Sequence, residues 1–269
     1  MKADLHIHSN HSDGTNTVKE LINLAKEKNL DMIAITDHDT INGFLEYKKL
    51  NIDYKVIAGV ELSTYHNGKS VHILGYFYDN NVDVEELINY LTIMKEKRNI
   101  RIQKIIKNLK EYFNLEVDYE EVKKGSHGVI ARPHLARVII EKYGYTYEEV
   151  FEKFLNDDSP AYVEVERLET KDAIEMLHRN NAIAVLAHPI YLKENKIEDI
   201  IDLGIDGIEV YYENQDEEYY WQIAKEKDLL ITGGSDYHGE IHESELGSKI
   251  IKENELERFL IKLNLKKEG

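Results

Sequence analysis

The sequence predicts an α/β protein built on a mostly parallel sheet, and three observations carry that reading. Seven short apolar runs each end in polar residues, helix-period segments separate most of them, and the alternation breaks once, in the middle, into a long stretch with helical periodicity alone. Strands are expected at residues 3–8, 32–36, 55–62, 70–77, 182–188, 207–212 and 229–236. Thr17 followed three residues later by Glu20 forms a capping box, which starts a helix with Val18, Leu21, Ile22 and Ala25 on its apolar face. Further helices are expected at 171–180, 197–203, 216–227 and 253–263. Periodicity leaves open whether the sheet is flat-edged or closed into a barrel. From 84 to 113 apolar residues recur at Val84, Leu87, Ile88, Leu91, Met94, Ile102, Ile105, Ile106 and Leu109, and 132–143 and 147–155 continue the helical pattern. Residues 84–160 therefore read as a helical insertion between two parts, 1–83 and 161–269, of one β/α domain. The cluster Asn156-Asp157-Asp158-Ser159 and Pro160 mark its exit.

With 269 residues, 42% hydrophobic and 32% charged, the chain can bury a sizeable core, which excludes disorder and mini-protein scaffolds. No apolar run approaches the roughly 18 to 20 residues that span a bilayer. Met1 leads into Ala3-Asp4-Leu5-His6 without a basic and apolar leader, so a cytoplasmic protein beginning at residue 1 is expected, with no membrane partner. The absence of cysteine rules out disulfides, a thiolate nucleophile and sulfur-ligated zinc, so any metal must be held by nitrogen and oxygen. Against 51 Asp and Glu stand 34 Lys and Arg, a net charge of −17. That balance argues against a phosphate-tracking surface and a stable nucleic-acid complex. A polyanionic substrate would need a locally positive site.

Alternate residues of a strand share a face, so His6 and His8 project together and can hold one cation, although two satisfied core histidines have the same spacing. The stronger signal is repetition. Thr36-Asp37-His38-Asp39, Gly59-Val60-Glu61-Leu62, His72, Ala187-His188-Pro189 and Gly234-Ser235-Asp236-Tyr237-His238-Gly239 each place a histidine or carboxylate where an apolar strand stops. In β/α barrels catalytic groups come from the C-terminal strand ends, so these motifs would converge on one mouth. Neutral imidazoles and carboxylates suit Mn, Fe, Zn or Mg.

The ordered motifs D-L-H-I-H-S, T-D-H-D, G-V-E, H-I-L-G-Y, A-R-P-H, A-H-P and G-G-S-D-Y-H-G resemble the polymerase and histidinol phosphatase (PHP) superfamily of metal-dependent phosphoesterases. The A-R-P-H motif and the position of the insertion resemble its stand-alone branch of 3′,5′-nucleoside bisphosphate phosphatases and 5′-to-3′ exonucleases of short RNA. The resemblance implies a distorted (β/α)7 barrel holding two to three divalent ions. His6, His8, Glu61 and Asp236 would surround the first, Glu61 would bridge to a second held with His72 and His188, and Asp13, His38 and His238 would hold a third. Glu61, Asp236 and His238 would form the catalytic centre. Three divalent ions bring +6 against the −3 of Asp13, Glu61 and Asp236, which makes the mouth positive in an acidic protein. A hydroxide bridging two ions would attack phosphorus in line, with Asp39, His134 or a metal-bound water as candidates to protonate the leaving group.

Arg132 and His134 of A-R-P-H are the expected substrate contacts, because a guanidinium fork matches phosphate oxygens, although an arginine before Pro133 also fits a capping or ion-pair role and His134 equally fits a metal ligand or the insertion's own packing. Asp37, Asp39 and Glu209 are expected to orient ligand histidines. Ile190 and Tyr191 follow A-H-P where many relatives have a basic residue, and Lys193 is the first cation. Lys95, Lys97, Arg98, Arg101, Lys104, Lys107 and Lys110 crowd one predicted helix. Such a run is usually a solvated face, and over the mouth it would meet a second phosphate or an RNA backbone. Tyr237 is a candidate pocket residue. His11, His66, His127, His178 and His242 are expected in surface or loop positions. The expected substrate is a small phosphorylated nucleotide or short RNA. The rivals are a histidinol-phosphate-type phosphatase or amidohydrolase on the same metals, and a non-catalytic metal-bound module; the oligomeric state is not indicated.

Overall fold

The computed structural model describes residues 1–124, 126, 128–164, 167–192, 196–239 and 244–265, so His127, Lys193 and His242 lie outside the described residues. In chain order the first part of the molecule is β1 (Ala3–Ile7), α1 (Val18–Glu27), β2 (Met32–Ile35), α2 (Asn42–Leu50), β3 (Lys55–His66) and β4 (Lys69–Phe77). A helical stretch follows: α3 (Glu85–Phe113), α4 (Tyr119–Lys124), α5 (Arg132–Tyr143) and α6 (Tyr147–Val150). The chain returns through α7 (Thr170–Arg179), β5 (Ala182–Leu186), α8 (Ile197–Ile201), β6 (Gly207–Tyr211), α9 (Glu217–Glu226), β7 (Leu230–Gly233) and α10 (Glu253–Lys262). The capping box at Thr17 and Glu20 is present at the start of α1.

The seven strands form one sheet in sequence order, and a parallel bridge from Ile7 to Tyr237 brings its edges together into a nearly closed, distorted barrel. All neighbours are parallel except at β4, which runs antiparallel to both β3 and β5. The reversal has a local cause. Only Asn67 and Gly68 separate β3 from β4, both at positive φ (49° and 73°), as a two-residue hairpin turn requires, whereas a parallel return needs a crossover of about a dozen residues or more.

Leu5, Ala34, Ile57, Leu74, Tyr76 and Val185 form an interior cluster with Leu256 and Phe259, so α10 packs against the barrel interior. Tyr76 and Phe259 meet edge to face at 5.0 Å. The other strand faces, such as Ile33, Val60 and Ile208, pack outward under α1 and α7. A register shift between Asp4 and Ile7 changes the parity of β1, so Leu5 joins the interior cluster while His6 and His8 face the mouth.

The helical stretch has its own cluster, which includes Ile102, Ile105, Leu109, Leu135, Ile139 and Phe154. The 29-residue α3 serves both cores: Leu87 and Leu91 belong to the barrel's outer layer, Ile102 and Leu109 to the insertion. Between them, on the same buried stripe, stand Arg98 and Arg101, 6% and 5% exposed. Among the described residues no helix is long and apolar enough to cross a membrane.

Candidate active site

Every expected ligand reaches the same mouth. His6 and His8 come from β1, Asp13 from the loop after it, His38 from beyond β2, Glu61 from β3, His188 from beyond β5, and Asp236 and His238 from beyond β7. His72 lies in the first half of β4, and because β4 is reversed that half is at the mouth. Asp39, His188 and Asp236 adopt positive φ (48°, 26° and 51°), strained conformations that turn the chain sharply past β2, β5 and β7.

Glu61, fully buried, is the hub. Its Oε1 lies 2.8 Å from His72 Nδ1 and 3.0 Å from His188 Nε2, and its Oε2 lies 3.1 Å from His8 Nε2 and from His38 Nδ1 and 3.2 Å from His6 Nε2. Asp236 Oδ1 lies 3.2 Å from His6 Nε2 and 3.1 Å from His8 Nε2. Asp13 Oδ1 is 3.3 Å from His238 Nε2. Among the described residues three donor sets result: His6, His8, Glu61 and Asp236; His38, Glu61 and His72; and His8, Asp13, His38 and His238. The first is the set implied by resemblance. In the second His38 takes the place given to His188, and in the third His8 is added.

The donors fit cations for a reason visible in the hydrogen bonding. Both ring nitrogens of His8, Nδ1 of His38, Oδ1 of Asp13 and Oδ1 of Asp236 are buried without a hydrogen-bond partner, although they crowd against one another. Buried polar atoms left unpaired are costly, and a shared divalent ion satisfies all of them together. The charges are tightly coupled. Burial opposes each carboxylate's ionisation, yet the surrounding imidazoles hold Asp13, Glu61 and Asp236 well below the usual range. Burial likewise disfavours a charged His8, but Asp236 and Glu61 lift it to about 10, whereas burial prevails at His38 and lowers it to about 3.

Carboxylates behind the ligands hold the frame. Glu209 receives His6 Nδ1 at 3.0 Å on one oxygen and the His188 amide at 2.8 Å on the other, so it orients two ligands at once. Asp37 instead grips the ligand loop, accepting from the Ser9 amide, the Ser9 hydroxyl and the Ser12 hydroxyl. Asp39 turns to the insertion, where it pairs with Arg98 and accepts from the Ser63 amide. Three supports were not foreseen. Asp4, raised to about 6 by burial, accepts from the amide and hydroxyl of Ser235 and ties β1 to the loop after β7. The Tyr212 hydroxyl donates to Asp236 Oδ2 at 3.0 Å. The third is Arg98 as the partner of Asp39, a carboxylate expected instead to orient a ligand histidine. The sequence signal for Asp4 and Asp39 was present, since each sits inside a ligand motif; Tyr212 carried none.

Seven of the nine ligands, all but His6 and His8, line a cavity of about 1350 Å³ whose lining also includes Arg98, Arg101, Arg132 and Arg167. The basic run of α3 thus divides: Arg98 and Arg101 are buried and face the cavity, while Lys104, Lys107 and Lys110 are exposed. Arg101 donates to the Val163 carbonyl and has no carboxylate within 4.0 Å among the described residues; burial and its fellow arginines lower it to about 10. Arg132 lines the cavity while donating to the Leu155 carbonyl and Asp157, both at 2.7 Å. His134 is buried away from the lining, with Nδ1 accepting from the Ala131 amide. Tyr191 lines the wall beside His188, whereas the Tyr237 hydroxyl is directed to Asn16.

A barrel mouth where histidines and carboxylates converge, in a cavity that arginines also line, defines a metal-dependent phosphoric ester hydrolase. Residues 4–167 match the PHP domain model, and the chain belongs to the PHP domain family. It is 30% identical over 262 residues to a 5′-3′ exoribonuclease of Haemophilus influenzae, covering 93% of this chain and 94% of that one. It is 28% identical over 251 residues to the phosphoribosyl 1,2-cyclic phosphate 1,2-diphosphodiesterase of Eggerthella lenta, covering 89% and 95%. Among solved structures it is similar to one from Bifidobacterium adolescentis assigned as a metal-dependent phosphoesterase, with a TM-score of 0.87, 26% identity and coverage of 96% and 95%.

Proposed function

We propose that the chain hydrolyses phosphate esters of nucleotides, with 3′,5′-nucleoside bisphosphates and the 5′ ends of short RNA as its substrates, and that it works in the cytoplasm. The observation that supports this reading is that four arginines share one cavity with the metal donors, so the same cavity offers a reacting centre and cations for a second anion. His6, His8, Asp13, His38, Glu61, His72, His188, Asp236 and His238 are the residues that would hold two to three ions of Mn, Fe, Zn or Mg. Such ions supply an activated water and countercharge for the phosphoryl oxygens. Arg98, Arg101 and Arg132 bind and orient the phosphate that is not cleaved. Asp39 is unsuited to protonate a leaving group, because Arg98 keeps it ionised against the pull of burial, and His134 stands outside the cavity.

The test compares kcat/KM for a 3′,5′-bisphosphate and for p-nitrophenyl phosphate with added Mn. Arg101→Met and Arg132→Ala each remove one contact to the remote phosphate, expected to cost about one to two orders of magnitude on the bisphosphate and little on the simple ester. Equal losses on both substrates, or a parent enzyme inert on bisphosphates and on 5′-phosphorylated RNA, would refute the nucleotide reading.

A further inference from the structure

We infer that the helical insertion is a structural part of the metal centre, because it holds from outside the loop that presents Asp13 to the third donor set. The inference rests on reading Asp13 as a ligand. The loop at 9–16 is fastened on its inner side: Asp37 binds Ser9 and Ser12, the Gly14 amide donates to the Ser9 carbonyl, and the Thr15 amide donates to the His238 carbonyl. These bonds fix both ends of the loop, but not the carbonyls of residues 11 and 13, which point the other way and are taken by the insertion. The Val129 amide donates to the His11 carbonyl at 2.9 Å, and Arg137 Nη2 of α5 donates to the Asp13 carbonyl at 2.7 Å. The approach is close enough to require glycine at 128, since a Cβ there would lie 2.0 Å from the His11 oxygen. His134, one turn before Arg137 on α5, is buried at the same junction, which accounts for a histidine of the A-R-P-H motif that does not line the cavity.

A ligand carboxylate is only as well placed as the main chain it hangs from. The side chain of Asp13 reaches His238 at 3.3 Å and His8 and His38 at 3.9 Å, whereas Glu61 lies within 3.2 Å of all five of its imidazoles. The Asp13 set is therefore the loosest of the three, and the most dependent on outside support. Arg137 is a positioning residue: its hydrogen bond goes to the main-chain carbonyl of residue 13 and not to a donor atom, and Arg137 itself is outside the cavity lining.

The experiment reads metal rather than turnover, so its outcome is separate from that of the substrate proposal. Metal-free full-length parent, Arg137→Met and Gly128→Ala are titrated with Mn²⁺, free Mn²⁺ is followed by its paramagnetic resonance, and thermal unfolding of each metal-free protein is recorded alongside. Methionine keeps the aliphatic packing of Arg137 and removes the donor. The parent is expected to take up three ions. In Arg137→Met the weakest of the three should lose about tenfold or more in affinity while the other two stay as in the parent. Gly128→Ala, if it folds, should do the same. An unchanged third affinity in Arg137→Met, with or without a lower Tm, would overturn the inference, as would an equal weakening of all three sites. A parent that binds only two ions would remove the ligand reading of Asp13 on which it stands.

Discussion

Replacing Arg98 by methionine isolates the link between the barrel mouth and the insertion. Arg98 is 6% exposed and Asp39 1%, and the guanidinium serves Asp39 and, at 3.0 Å, the Ser63 hydroxyl. In Arg98→Met the Asp39 carboxylate keeps the Ser63 amide at 3.0 Å as its remaining hydrogen-bond donor, which leaves a buried charge with only the weaker electrostatic pull of Arg167. Breaking a buried pair on one side costs about 3–5 kcal/mol, a large fraction of the roughly 5–15 kcal/mol that holds a domain together. The loss should depend on pH in a defined direction. With Arg98 present, Asp39 is held below its usual range, so its favourable contribution is intact at pH 7 and fades only in acid, below the unfolded carboxylate value of about 4. Without Arg98, burial dominates and raises Asp39, the folded state takes up a proton more readily than the unfolded chain, and the deficit shrinks as pH falls from about 7 to 5. Urea midpoints of the metal-free protein at both pH values measure this, and Asp39→Asn combined with Arg98→Met should recover at least half of the loss. A deficit under about 1 kcal/mol at pH 7, or one that does not change with pH, would show that the pair contributes little and that the reasoning from burial is wrong.

Two further outcomes follow from the same geometry. Glu61 faces five imidazoles with two oxygens, so Glu61→Gln should lower bound metal and kcat by at least about tenfold more than Asp13→Asn, whose carboxylate enters one donor set; parallel elemental analysis and kinetics decide it, and equal losses would place the bridge elsewhere. His134 is lowered to about 4 by burial, so its contribution is complete above the unfolded value of 6.5 and is lost as pH falls from there through about 4; the span corresponds to about 3 kcal/mol, and metal-free His134→Gln should show a correspondingly flatter fall in stability between those pH values.

The ligand motifs were legible because each combines two signals, an apolar strand and a chemically unusual residue at its end, and resemblance then ordered them. The barrel's one reversed strand was equally present in the sequence, as Asn67-Gly68 between two alternating runs, but the rule of β/α alternation masked it. Arg98 and Arg101 were harder. Charge alone grouped them with the lysines of the same helix, and only their spacing from Leu87, Leu91 and Met94 marks them as members of the buried stripe. The support given by Arg137, Tyr212 and Asp37 depends on contacts between distant segments, or on main-chain carbonyls that have no letter in the sequence.

The continuous α3 has a consequence for cooperativity. A helix of 29 residues is about 44 Å long, and this one has neither proline nor glycine at which to bend. Its first turns complete the barrel's outer layer and its last turns complete the insertion's core, so neither body can melt without stripping apolar contacts from a rod that the other still grips. Barrel and insertion are therefore expected to unfold as one unit, and excising residues 84–160 would take Leu87 and Leu91 out of the barrel's outer layer.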